Sequence, residues 1–176
     1  MECNMTEAII LLSKRENEVT VRAQVIIVLT TVFNFSSSFP HLQKQICETM
    51  CYTLIHGNDT RVRLYSLLFW IKRIEEKLTL YGMVDGKFLE CVFSFNSKKI
   101  LQLTEIEIKK RLKCVLKELK EIDCFKALKH AVADKCDVTV SKKSWQVSKK
   151  LNDLFDKYGV EKDLRMELAN SLEICT

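Results

Sequence analysis

Glycine and proline are almost missing: the chain of 176 residues holds four Gly and one Pro. All-β sandwiches and barrels need many tight turns built from those residues, which sets that class aside. The same scarcity leaves little material for a phosphate-cradling loop, and no P-loop, G-x-G-x-x-G or G-x-S-x-G occurs. Histidine is limited to His41, His56 and His130. Nucleophilic catalysis by a Ser–His or Cys–His pair has little to draw on, so an enzyme would need an unrecognised arrangement of acidic residues. No long apolar run is present either. The most apolar stretch, Val19 to Phe35, is broken by Arg22, Gln24 and Asn34. A bilayer span needs roughly 20 mostly apolar residues, so this stretch reads as a buried helix.

There is no C-x-x-C among the eight cysteines, which removes a zinc ribbon and a thioredoxin-like pair. Cys47 and Cys51 share a helix face with Ile46, Met50 and Leu54, and the nearby His41 and His56 lie too far apart for one tetrahedral site. They read as core thiols, and no metal or cofactor is expected. The N-terminus lacks the basic region and cleavage site of a secretory signal. The expectation is a chain with reduced thiols in the cytoplasm or nucleus. The N-x-[ST] sequons at Asn4, Asn34 and Asn58 then read as chance matches.

What the chain does have is 47% hydrophobic and 29% charged residues, the balance of a folded protein. Periodicity predicts helices over Thr6–Lys14, Glu18–Phe35, His41–His56, Thr60–Leu78, Lys87–Phe95, Thr104–Ile122, Asp123–Ala133, Ser141–Tyr158 and Glu161–Glu173. Pro40 suits the first turn of its helix, and Gly159 suits a left-handed position after one. Asp137-Val138-Thr139-Val140 reads as a loop, with a short strand as the alternative. Trp70, in the run Leu67-Leu68-Phe69-Trp70-Ile71, marks its helix as central.

Two segments align with each other. Glu18-Val19-Thr20-Val21-Arg22 and Asp59-Thr60-Arg61-Val62-Arg63 both read [DE]-x-x-V-R, 41 residues apart, and both open an apolar helix. A carboxylate at a helix start can accept from free amides, the Val is expected to point inward, and the Arg to make framework contacts. The pattern resembles the HEAT/armadillo family of α-solenoids. In this sequence Glu18, Val21, Arg22, Asp59, Val62 and Arg63 occupy its motif places. The same period predicts a third copy just before Glu105, where the Val-Arg element is missing. The resemblance implies an all-α, short right-handed solenoid of about four helical pairs in one domain, 1–176. The pairs would span 5–35, 40–78, 85–122 and 123–158, with a closing helix over 161–174. An irregular helical bundle is the alternative architecture.

The net charge of +5 is unevenly placed. Residues 98–150 hold 15 Lys/Arg against 7 Asp/Glu. On the helix from Thr104, Ile108, Leu112, Val115, Leu116, Leu119 and Ile122 form an apolar stripe. Lys109, Lys113, Lys117 and Lys120 form a basic one, with Lys110 beside it. Glu118, Glu121 and Asp123 partly neutralise that face. Trp145, beside Lys142, Lys143 and Lys149, is a candidate anchor for a partner. The expected function is a non-enzymatic adaptor that holds a protein partner, an acidic or amphipathic segment, in a helix-lined groove. The alternatives are a nucleic-acid-associated module using residues 98–150, and an enzyme of unrecognised type. No small-molecule or membrane partner is expected.

Overall fold

The computed structural model describes residues 8–10, 18–83 and 103–161, and all structural statements here concern those residues. They form an all-α protein with no strand among them. After a helical stretch at 8–10 come α1 (Val19–Phe35), α2 (Pro40–His56), α3 (Thr60–Leu80), α4 (Glu105–Glu121), α5 (Cys124–Val132) and α6 (Val138–Lys157). The expected helices over 87–95 and 161–174 lie outside the described residues, apart from Glu161. The chain divides into two compact units, residues 1–69 and 70–176, with the boundary inside α3.

In the first unit α1 packs on α2. Val25, Ile26, Leu29 and Phe33 form the buried face of α1. Phe33 meets Phe69 of α3 edge-on, with ring centroids 5.2 Å apart. Pro40 stands in the first turn of α2, where its missing N–H leaves no donor unpaired. Ile46, Met50 and Leu54 are buried, along with Cys47 and Cys51. Buried Thr53 donates its hydroxyl to Thr49 O, four residues back.

The α2–α3 corner is built from Gly57 and Arg63. Arg63 is buried and its Nε donates to Leu54 O at 2.9 Å, which satisfies a carbonyl in the last turn of α2. A Cβ on Gly57 would lie 2.5 Å from Thr53 O and 2.9 Å from the Arg63 side chain. The chain therefore needs glycine here for space, not for an unusual backbone angle.

In the second unit α4 packs on α5 and α5 on α6. Thr104 opens α4 with a reciprocal capping box: its hydroxyl accepts from Glu107 N, and the Glu107 carboxylate accepts from Thr104 N. The apolar stripe from Ile108 to Leu119 is buried as its spacing predicts, while Ile122 is only half-buried. Asp123 turns the chain into α5 with a left-handed φ of 58°.

One expected loop is a helix. α6 begins at Val138, not Ser141, because Asp137 Oδ1 accepts from Val140 N and caps it. The β-branched Val-Thr-Val run favours a strand locally, but Val140 joins Val147, Leu151 and Leu154 on one buried helical face. Ser141 lies inside the first turn and donates its hydroxyl to Val132 O of α5. Gly159 has the left-handed φ expected after the helix, 62°.

Candidate functional site

The two [DE]-x-x-V-R copies differ in structure. Asp59 accepts from the amides of Arg61 and Val62 and so caps α3. Glu18 makes no side-chain cap to α1; its carboxylate accepts from the Thr20 hydroxyl instead. Val62 is fully buried. Val21, expected to point inward, is 41% exposed, which corrects that expectation. The reason lies in α1, which is apolar on two sides, so the motif does not fix which side turns inward. Arg63 bonds the framework as described, whereas the buried Nε of Arg22 has no hydrogen-bond partner.

The basic stripe of α4 is already partly occupied. Lys109 and Lys113 are one turn apart and both reach Glu161, at 3.1 Å and 2.9 Å. Hydrogen bonding from Lys113 leads, followed by Glu161's own backbone and Lys109, in pulling the Glu161 carboxyl down to about 2. Lys117 faces Glu121 at 3.9 Å, a loose exposed pair. Lys110 and Lys120 are exposed, with no ion pair among the described residues. Arg111, on the flank of the stripe, donates to Tyr81 O at 3.1 Å and serves the framework. Trp145 sits half-buried on α6, and no hydrogen bond or ring contact joins it to the lysines among the described residues.

Beside the stripe is an open cavity of about 430 Å³ lined by Lys77, Tyr81, Cys114, Lys117, Glu118, Glu121 and Ile122. Cys114, Lys117, Glu118 and Glu121 share it because their spacing puts them on one face of α4. Tyr81 donates to Glu118, and Lys77 pairs with the same carboxylate. Burial pushes the Glu118 carboxyl up, but those two donors outweigh it and hold it below the ordinary range. The same hydrogen bond raises the Tyr81 phenol to about 12. With two lysines against two glutamates, the cavity is charge-balanced, and the Glu118 oxygens are engaged by its own neighbours.

Sequence reasoning missed both tethers. Glu161 is 48 residues from Lys113, and Tyr81 is 37 from Glu118, so no local spacing announces them. It also missed the exposed apolar surface. Among the described residues, the exposed large hydrophobics Val21, Ile27, Val28, Phe35, Phe39, Tyr52, Tyr65 and Leu68 belong to the first unit, and Leu80, Ile106 and Val138 to the second.

Cys47 and Cys51 are buried while His41 and His56 are exposed. Among the described residues, no three His, Cys, Asp or Glu gather where a metal could bind, and no helix is long and apolar enough to cross a membrane. Comparison with protein-family models, curated proteins and solved structures found no match to this chain.

Proposed function

We propose that this chain is a protein-interaction module, a non-enzymatic adaptor whose binding surface is apolar and helical. The observation that carries the reading is the apolar residue set left exposed in the first unit, above all on α1. Isolated exposed hydrophobics are ordinary, but a helix that is apolar on two opposite sides and buried on one has a second side to cover. Stacked HEAT/armadillo-like helical pairs belong to this proposal. The short α1–α2 and α5–α6 connections and the Arg63 bond across the α2–α3 corner support that arrangement.

Lysines have a smaller place in it than the sequence suggests. Lys109 and Lys113 already hold Glu161, so Lys110 and Lys120 are left to favour acidic flanks on a partner.

Affinity capture from cells of the source organism, read by quantitative mass spectrometry, tests the reading. A defined protein partner should be enriched on the parent chain and lost on Val28→Glu. It should be retained on Ile106→Glu, an equally conspicuous exposed site in the second unit. Capture that is the same for all three baits would remove the apolar surface from the function.

A further inference from the structure

The Glu161 carboxylate sits between two ammonium groups of one helix. Lys109 Nζ reaches its Oε1 at 3.1 Å, and Lys113 Nζ lies 2.9 Å from each oxygen. The two lysines stand one turn apart on α4, while Glu161 lies just beyond the end of α6. The turn that ends α6 fixes its approach. Gly159 N donates to Asp156 O and Val160 N to Phe155 O, and the Val160 side chain is buried. Glu161 is thus carried to the lysines by its own anchored backbone, at a high effective concentration. The three side chains still keep between 36% and 47% of their surface in water, so a group from outside can reach the same ammoniums. The basic row continues past them. Lys110 and Lys120 have no ion pair among the described residues, and Lys117 faces Glu121 only loosely.

We infer that Lys109 and Lys113 form a carboxylate-binding site, and that an acidic segment of a protein partner displaces its internal occupant, Glu161. The inference rests on the interaction reading above and adds a second contact to it. The ligand class follows from the occupant, since the group these ammoniums hold is a side-chain carboxylate. A nucleic acid fits the row less well. α4 has no aromatic side chain on which a base could stack, and Glu118 and Glu121 interrupt the positive charge that a phosphate backbone would follow. Displacement sets a threshold. While Glu161 holds the lysines, the apparent affinity of any competitor is reduced to the fraction of time they are free. A lone carboxylate offers nothing that Glu161 does not. A run of carboxylates also meets Lys110, Lys117 and Lys120, which Glu161 leaves open. From Lys109 to Lys120 the helix rises about 16 Å, a length that an extended segment covers in about five residues. Glu161 therefore screens out single acids and admits acidic runs.

Fluorescence anisotropy of a labelled peptide of about ten glutamates, titrated with the full chain at about 50 mM salt, reads this while exposed charges are little screened. Glu161→Gln keeps the side-chain length and removes the charge. It should tighten peptide binding about three- to tenfold, because the lysines are then free all the time. Glu161→Ala should do the same and serves if Glu161→Gln does not fold. Lys109→Gln and Lys113→Gln, added together to Glu161→Gln, should remove the gain. Asp153→Asn raises the net charge equally by freeing Lys149 on α6, and should change binding by less than about twofold. An oligothymidine of equal charge should gain less than the peptide does. Binding that neither Glu161 variant tightens, a gain that survives loss of both lysines, or an equal gain from Asp153→Asn overturns the inference. A larger gain for oligothymidine overturns the choice of carboxylate and makes the row a phosphate site. None of these outcomes touches the apolar surface of α1, which is decided separately by partner capture on Val28→Glu.

Discussion

Arg63 shows how one side chain holds a corner. Its aliphatic stem lies against Gly57, and its Nε answers Leu54 O, a carbonyl that the end of α2 would otherwise leave unpaired. Removing the side chain takes both the bond and the packing of its stem. Arg63→Ala should cost about 1–3 kcal/mol, read as a lower urea midpoint at unchanged slope. An unchanged midpoint would show that the corner stands without it. Glu161 gives a second test at this scale, through pH. Its folded carboxyl is depressed from the ordinary 4.5 to about 2, so its ion pairs contribute stability above pH 4.5 and lose it as pH falls toward 2. Carbon-detected NMR should place the Glu161 titration below that of exposed glutamates, and Lys113→Ala should move it upward. A midpoint near 4.5 in the parent would mean that Lys109 and Lys113 do not hold this carboxylate.

At the scale of the element, the contrast between α1 and α3 is the informative one. Both open with the same five-residue pattern, yet only Asp59 caps its helix. The shorter side chain of Asp reaches the amides two and three residues on. Glu18 instead accepts from the Thr20 hydroxyl, two residues on. Asp59→Ala should therefore cost about 1 kcal/mol and Glu18→Ala only a few tenths, compared by thermal unfolding. Equal losses would make the two copies energetically alike. The asymmetry also explains why the repeat could be seen in the letters without predicting both structures. The pattern fixes what a helix start can do, while neighbouring elements decide whether Val21 or Val25 turns inward.

For the whole molecule, charge bears on the choice between protein and nucleic acid. The excess of Lys/Arg lies in residues 98–150, but Lys109, Lys113 and Lys117 face carboxylates and Arg111 bonds a carbonyl. A polyanion would have to compete with Glu161 and Glu121. Affinity for a DNA duplex, measured between about 50 and 200 mM salt, should accordingly be weak, with a log–log slope equivalent to only one or two phosphates. Tight binding with a steep slope, eliminated by Lys110→Glu, Lys113→Glu and Lys117→Glu together, would restore nucleic acid as the partner.

The all-helical class was determined by the sequence itself, through its shortage of Gly and Pro and the 3.6-residue periodicity of its apolar positions. The buried stripe of α4, the place of Pro40 and the turn at Gly159 were equally legible, because each depends on residues within a few positions of one another. Tertiary structure decided what depends on distant partners. It turned Val138–Val140 into the first turn of α6, where Val140 joins a buried face. It brought Glu161 to Lys109 and Lys113, and Tyr81 to Glu118. On α1, where both sides are apolar, only packing could choose which to bury. The side it left outside, running from Val21 to Phe35, is the surface on which the proposed function rests.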